Sequence, residues 1–194
     1  MYQYKYPHPA VTTDCVVFAL DGNQLKLLLV ERGFEPYKGH WAFPGGFMEI
    51  DESAETGALR ELQEETGMTQ AAIHLFHTFS TPGRDPRERV VSVAFYALTR
   101  MQQVCGADDA ARARWFTLTE LLDSLAQSTL PLAFDHREML LRAIEALADR
   151  IALHPDNFRN QPEQFTADEL QIVSQQLCCY SSRASAAQPQ SPPV

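Results

Sequence analysis

The N-terminal part of the chain alternates between apolar runs and turn sequences in a way that predicts a β-sheet. The clearest run is residues 11–20, which is rich in β-branched side chains and ends at the turn sequence Asp21-Gly22-Asn23. Because a second apolar run follows this turn directly, the two runs predict a hairpin. The predicted strands cover residues 11–20, 25–30, 41–43, 73–79, 90–98 and 113–116.

Apolar positions at helical spacing predict helices between and after these strands. A short helix is expected over residues 118–125, and Asp135 with Glu138 has the D-x-x-E spacing of a helix cap. The helix that follows this cap has an apolar stripe formed by Leu140, Ile144, Leu147 and Ile151. This order of elements predicts an α/β fold with a mixed sheet and helices on both faces.

The sequence pattern changes after residue 150. Thr166 and Glu169 form a capping box, and an apolar side follows it, which predicts one more helix near residues 166–178. From Tyr180 onward the chain is rich in serine, alanine and proline, which predicts a disordered tail. We therefore expect a main domain over residues 1–150 and a C-terminal appendage over residues 151–194.

Composition narrows the classes of function. The 194 residues contain no apolar run long enough to span a membrane, and the N-terminal residues lack the pattern of a secretory signal, so we expect neither a membrane span nor secretion. The four cysteines lack metal-ligand spacing, so we expect free thiols in a reducing cytoplasm. The net charge of −9 makes nucleic acid an unlikely partner, because DNA affinity depends largely on cationic contacts to phosphate.

Residues 46–68, called the box below, carry the most specific pattern in the chain. They have the form G-x5-E-x7-R-E-x-x-E-E-x-G, in which a helix capped by Ser53 is expected to end at Gly67. Glu61, Glu64 and Glu65 lie three or four residues apart, so a helix brings them to one side. The fixed box positions are Gly46, Glu52, Arg60, Glu61, Glu64, Glu65 and Gly67.

Clustered carboxylates of this kind favour a hard divalent cation. Like charges at about 4 Å repel by about 1 kcal/mol in water and about 4 kcal/mol near a protein surface, and a cation reverses that sign. Oxygen ligands suit Mg²⁺ or Mn²⁺. Arg60 can pair with Glu64 at i, i+4 and orient it. The alternative, an acidic helix that merely faces solvent, does not explain why Gly46, Glu52 and Gly67 keep the same register.

The box resembles the signature of the Nudix hydrolases. The resemblance implies a Nudix α/β/α sandwich and metal-dependent hydrolysis of a diphosphate linked to another group. It makes Glu61, Glu64 and Glu65 metal ligands, with Gly46 at the metal site, Glu52 a supplementary ligand and Arg60 an orienting residue. Glu64, Glu61 and Arg60 are then the catalytic candidates, and the identity of the general base stays open.

Sequence outside the box resembles the Nudix branch that contains ADP-ribose pyrophosphatases and ADP-ribose-sensing regulators. The resemblance covers roughly residues 7–150 and includes Pro82, which lies beyond the box as in the pyrophosphatases. It implies ADP-ribose as substrate, with AMP and ribose 5-phosphate as products, and a homodimer. In the loop 81–89, Arg84 is the first candidate for substrate contact. The other substrate candidates are Arg89, Arg32 and Phe43, with Phe34 and Phe79 as further stacking candidates and Glu88 as a base outside the box.

Two other functions remain open. One is a regulator that binds ADP-ribose and DNA, since residues 164–177 resemble the opening helix of the regulators' winged-helix domain. We expect such a region to be truncated here, because the sequence ends without a recognition helix or a basic patch. The other is a pyrophosphatase for nucleoside triphosphates, which the box alone does not exclude.

Overall fold

In a computed structural model, which describes residues 5–105, 110–127, 129–160 and 164–186, one seven-stranded sheet lies between two layers of helices. The predicted α/β fold with a mixed sheet is confirmed. None of the helices in these ranges has the length and apolarity needed to cross a membrane. The strands are β1 (Ala10–Asp21), β2 (Gln24–Arg32), β3 (Trp41–Ala42), β4 (Gly45–Phe47), β5 (His74–Phe79), β6 (Val90–Arg100) and β7 (Ala110–Thr117). The helices are α1 (Ala54–Thr66), α2 (Leu118–Ala126), α3 (His136–Leu153), α4 (Asp156–Arg159) and α5 (Ala167–Ala186).

Strand β1 is the centre of the sheet, which has the order β3-β2-β1-β6-β5. It pairs antiparallel with β2, with Phe18 opposite Leu27, so the predicted hairpin is confirmed. It also pairs parallel with β6 along its length. Gly45 and Gly46, which follow Pro44, belong to β4, which pairs antiparallel with the start of β1. This pairing places the beginning of the box beside β1.

Alternation along β1 divides the core into two layers. Val16, Phe18 and Leu20 pack in the cluster that contains the apolar stripe of α3, and all four stripe positions are buried as predicted. Cys15 and Val17 pack in the cluster that contains Ala58 and Leu62 of α1. Since successive side chains of a strand point to opposite faces, helix α1 covers one face of the sheet and α3 the other.

Helix α5 packs on the main core. Its capping box is formed as predicted, with Thr166 N–H donating to Glu169 Oε2 at 2.8 Å and Glu169 N–H donating to Thr166 Oγ1 at 3.2 Å. The backbone stays helical to Ala186, beyond the predicted end near 178, and residues 187–194 lie outside the described residues. The buried face of α5 shares the cluster of the α3 stripe, so the change of pattern at residue 150 does not mark a separate core. This face comprises Leu170, Val173, Leu177 and Tyr180.

Leu177→Ala is expected to lower the free energy of unfolding by about 2–5 kcal/mol, because Leu177 is fully buried and its truncation leaves a cavity. Urea denaturation of the whole chain measures this change. The matched control is Gln175→Ala on the exposed side of the same helix, expected to change stability by less than about 0.5 kcal/mol. Equal stability of the two variants would contradict the packing of α5 on the core.

Candidate active site

The box helix begins and ends as the sequence predicted. Ser53 is the N-cap, and its side chain accepts from the Thr56 amide. Gly67 follows the last turn with φ of 76°, and its amide donates to the Gln63 carbonyl. A left-handed residue of this kind favours glycine. These two caps fix the length of α1 and therefore the positions of the carboxylates along it.

The glycines of the box allow close approach of carboxylates to backbone. A Cβ atom placed on Gly46 would lie 2.3 Å from Glu61 Oε1, and one on Gly57 would lie 2.8 Å from Glu52 Oε1. Both contacts are shorter than van der Waals distance, so only glycine leaves room for these carboxylates. A Cβ atom placed on Gly45 would instead clash with the backbone, since it would lie 2.1 Å from the Thr13 carbonyl oxygen. Gly57 is therefore a close-packing position of the box helix.

Arg60 bridges three carboxylates. Its Nη2 lies 2.7 Å from Glu52 Oε1, and its Nη1 lies 2.9 Å from both Glu61 Oε1 and Glu64 Oε2. The i, i+4 pairing with Glu64 was predicted, while the contacts to Glu52 and Glu61 extend it. Nη2 also donates to the carbonyl of Phe47, which ties the helix to β4. Because hydrogen bonds from its guanidinium favour the ionised acid, Arg60 holds the pKa of Glu52 below its usual range.

Burial has the opposite effect on the two innermost glutamates. It raises the pKa of Glu65 to about 8, against the lowering effect of a hydrogen bond from the Gly45 amide at 2.9 Å. Burial also raises the pKa of Glu61, while Arg60 opposes this shift. Desolvation disfavours a charged carboxylate that lacks sufficient positive charge nearby. Both carboxyls therefore favour the neutral form more than a free glutamate does.

These donors fit a hard dication. Carboxylate oxygens are the ligands that Mg²⁺ and Mn²⁺ prefer, and Glu61 and Glu65 place such oxygens against the backbone of Gly46 and Gly45. Within the described residues, no three acidic, histidine or cysteine side chains converge closely enough to hold an ion as they stand. Arg60 instead donates hydrogen bonds to three of the box carboxylates, those of Glu52, Glu61 and Glu64.

A cavity of about 670 Å³ adjoins the box. This size is within the range of sites for small ligands, roughly 300–1,000 Å³. One part of its wall is acidic, with Glu61, Glu64 and Glu65, and another part carries arginines. The wall also includes the glycine strand. Further side chains that line the cavity are Thr12, Asp14, Arg32, Phe34, Phe43, Arg84, Asp85, Arg87, Phe134 and His136.

The arginines of the cavity differ in their partners. Arg84, the first candidate for substrate contact, is almost completely buried and donates twice to Asp135, at 2.9 and 2.6 Å. Asp135 was predicted to cap α3, but its side chain makes no capping hydrogen bond. Arg87 pairs with Asp85 at 2.7 Å. Both guanidinium groups are thus already neutralised by carboxylates.

Arg32 differs from Arg84 and Arg87 because no carboxylate of the described residues lies within ion-pair distance of it. Its Nε donates to the Pro36 carbonyl at 2.8 Å, and its guanidinium lies 4.8 Å from the centre of the Phe134 ring. Burial, followed by the nearby charge of Arg87, lowers the pKa of Arg32. An anionic ligand in the cavity would offset both the burial of the Arg32 charge and its repulsion by Arg87.

Some of the other substrate candidates line the cavity and others do not. Phe43 lines the cavity and stacks on His136 with ring centres 5.2 Å apart, and Phe34 lines it with an exposed ring. Phe79 packs in the main core instead. The structure does not bring Arg89 or Glu88 to the cavity wall, because both lie on the exposed part of the loop that precedes β6.

Several residues of the cavity were not anticipated from the sequence. Asp14 and His136 face each other with 3.6 Å between Oδ1 and Nε2, and His136 Nδ1 accepts from the Phe43 amide at 3.0 Å. Phe134 takes a positive φ of 51° beside the cavity. The sequence feature that could have identified Asp14 is its position inside an otherwise apolar strand, because a buried carboxylate needs partners.

Comparison with known proteins identifies the class. The sequence profile of the NUDIX domain matches residues 8–142, which is more than half of the chain. The chain therefore belongs to the Nudix family and is a Nudix hydrolase. Members of this family act on nucleotide substrates and generally depend on divalent metal ions.

The names of several similar proteins mention ADP-ribose. It is 33% identical over 174 residues to the ADPR responsive transcriptional repressor NtrR of Acinetobacter baylyi, a match that covers 87% of this chain and 66% of that protein. It is 36% identical over 135 residues to an ADP-ribose pyrophosphatase of Methanocaldococcus jannaschii, covering 70% of this chain and 73% of the relative. The structure matches the NUDIX domain of Shewanella oneidensis NrtR complexed with ADP ribose with a TM-score of 0.68 and 34% identity, covering 75% and 94% of the two chains. The chain thus spans slightly less than two thirds of the repressor's length.

Proposed function

We propose that this protein hydrolyses the diphosphate of ADP-ribose to AMP and ribose 5-phosphate with the help of Mg²⁺ or Mn²⁺. In this reaction water adds to one phosphorus atom and the bridging oxygen leaves with the other phosphate. The observation that carries the proposal is the bridging of Glu52, Glu61 and Glu64 by Arg60 at the edge of the cavity. The names of the pyrophosphatase and of the ADP-ribose complex support this choice of substrate.

The box residues would have separate roles in metal binding and proton transfer. Glu61, Glu64 and Glu65 would hold the metal together with the Gly46 backbone, and Glu52 would supplement them. When bound, such an ion supplies positive charge for the phosphate oxygens and lowers the pKa of the attacking water. A box carboxylate accepts the proton of that water, for which Glu64 and Glu61 are the candidates. Arg60 orients these carboxylates through its three ion pairs.

The substrate diphosphate would lie between the acidic wall and Arg32. A guanidinium without a carboxylate partner binds phosphate without first breaking an internal ion pair. Arg84 would have to leave Asp135 before it could bind phosphate directly, so we assign it to holding the cavity wall. Arg89 is not retained as a substrate contact, because it lies outside the cavity.

Arg32→Ala is expected to raise KM for ADP-ribose by about 10–100-fold, because a hydrogen bond between charged groups contributes about 1.5–3 kcal/mol. Steady-state kinetics measures this change. Arg89→Ala is the matched control, since it removes an arginine that does not line the cavity and is expected to leave KM within about twofold of the wild-type value. Equal effects of the two substitutions would remove Arg32 from the substrate site.

A substrate panel tests the proposed function. The protein is incubated with Mg²⁺ and with ADP-ribose, dGTP or 8-oxo-dGTP, and the products are separated by chromatography. We expect AMP formation from ADP-ribose to have the highest kcat/KM. A preference for either triphosphate would replace this proposal with a nucleoside triphosphate pyrophosphatase.

A second candidate function is that of an ADP-ribose-responsive regulator. It is favoured by the match to the Acinetobacter repressor, which covers 87% of the chain and therefore more of it than the NUDIX profile does. Selection from a pool of random DNA duplexes, followed by anisotropy titration at several salt concentrations, tests it. Enrichment of one sequence whose binding ADP-ribose weakens would support the regulator. The excess of acidic residues leads us to expect no such enrichment.

We further propose that the protein is a homodimer in the cytoplasm, as the resemblance implies. Light scattering at several protein concentrations tests the assembly. A mass of one chain, about 21.8 kDa, at every concentration would contradict the dimer.

A further inference from the structure

The first residues of β1 are buried but polar. Thr12, Thr13 and Asp14 precede the apolar part of the strand, and each is less than a tenth exposed. Because side chains alternate along a strand, Thr12 and Asp14 share one face of the sheet and Thr13 lies on the other. Thr12 and Asp14 both line the cavity, whereas Thr13 does not.

The hydroxyls of both threonines lack hydrogen-bond partners. Thr12 Oγ1 and Thr13 Oγ1 are buried side-chain atoms for which the described part of the chain provides neither donor nor acceptor. A buried hydroxyl without a partner destabilises a fold, so its presence needs a reason. Thr12 lines the cavity, so rotation about its χ1 bond presents the hydroxyl to a ligand there, which then completes the hydrogen bond.

Asp14 supplies an acceptor two residues further along the same face of β1. Its Oδ2 accepts from Ser92 Oγ and lies 4.0 Å from Arg84 Nη2. Its Oδ1 is 3.6 Å from His136 Nε2, which is longer than a hydrogen bond, so this oxygen keeps acceptor capacity. A carboxylate repels phosphate but accepts readily from a hydroxyl. The pair therefore suits an uncharged hydroxyl-bearing group.

The strand register places this pair next to the box. Thr12 is opposite Phe47 of β4, and Asp14 is opposite Gly45. Glu65 binds the amide of the same Gly45, so the two side chains of β1 lie one strand away from the acidic wall. A group bound there would be adjacent to a diphosphate that lies at the box carboxylates.

We propose that Thr12 and Asp14 form a subsite for a sugar hydroxyl of the substrate, with Thr12 Oγ1 and Asp14 Oδ1 as its hydrogen-bonding atoms. The inference rests on the proposed function, because ADP-ribose carries a ribose on each side of its diphosphate. Thr12 and Asp14 then determine specificity for ribosylated diphosphates, and they take no part in the bond-breaking step.

Thr12→Val tests the subsite, with Thr13→Val as its matched control. Each substitution replaces an unpartnered hydroxyl with a methyl group of similar size, so both variants should fold and melt at or slightly above the wild-type temperature. Thr12→Val is expected to raise KM for ADP-ribose by about 3–10-fold, the effect of one lost hydrogen bond, with kcat within about twofold. Thr13→Val and Thr12→Ser, which keeps a hydroxyl at position 12, are expected to retain the wild-type KM.

The outcomes separate this inference from the proposed function. If the wild-type protein does not cleave ADP-ribose, the proposed function fails. If it does and Thr12→Val has the same KM as Thr13→Val, the hydroxyl subsite alone is wrong. Repeating the measurement with the 2′-deoxyadenosine analogue of ADP-ribose identifies the sugar. Loss of the Thr12→Val effect on the analogue assigns the subsite to the adenosine 2′-hydroxyl, and an unchanged effect assigns it to another ribose hydroxyl.

Discussion

Glu64→Gln is expected to reduce kcat for ADP-ribose by about 10²–10⁴-fold, the range for loss of a positioned general acid or base. The fold should tolerate this change, because the Glu64 side chain is 44% exposed and its ion pair with Arg60 spans one helical turn. Exposed pairs of this kind contribute only about 0.3–0.5 kcal/mol. Turnover with Mg²⁺ and thermal unfolding measured on the same preparation test both parts.

Glu55→Gln is the control for this experiment. Glu55 is an exposed residue in the first turn of the same helix and does not line the cavity. The two variants remove the same charge from α1, so a general electrostatic effect would lower both activities. Wild-type turnover in Glu64→Gln, or an equal loss in Glu55→Gln, would contradict the role of the box carboxylates.

Gly46→Ala is expected to reduce kcat by about 100-fold or more while changing stability by about 1 kcal/mol or less. The added Cβ would lie 2.3 Å from Glu61 Oε1, which is the end of a flexible side chain, so the carboxylate moves and the backbone stays. A displacement of about 1 Å in a catalytic group costs about 100-fold in rate. Kinetics and urea denaturation of the variant separate the two effects.

Gly45→Ala provides the contrast. Its Cβ would lie 2.1 Å from the backbone oxygen of Thr13, so the pairing of β4 with β1 must give way. We expect this variant to lose about 1–3 kcal/mol of stability, the usual range for overpacking. If Gly46→Ala instead lost the same stability and kept its activity, the close approach of Glu61 to Gly46 would not matter for catalysis.

The box could be predicted from the sequence because its structure is local. Ser53 and Gly67 cap a single helix, and helical spacing alone brings Glu61, Glu64 and Glu65 to one side. These relations depend on neighbours within the helix. The predicted caps and the Arg60–Glu64 pair were therefore found as expected.

The cavity wall could not be predicted in the same way, because it depends on contacts between distant segments. Asp135 has the spacing of a helix cap, yet its carboxylate binds Arg84, which lies 51 residues away in the sequence. This tertiary pairing overrides the local capping signal and engages the Arg84 guanidinium with a carboxylate. The extra helical turns of α5 have the same cause, since Tyr180 is held by burial against the main core and by a hydrogen bond to Thr119.

The central claim is that the box carboxylates hold a hard dication next to the diphosphate. Titration of the wild-type protein with Mn²⁺ in the presence of AMP, followed by electron paramagnetic resonance of the free ion, tests it most directly. We expect saturable binding that is weakened at least about tenfold when Glu61 and Glu65 are both replaced by glutamine, the usual scale for loss of metal-site residues. Absence of saturable binding, or equal binding by the doubly substituted protein, would contradict the claim.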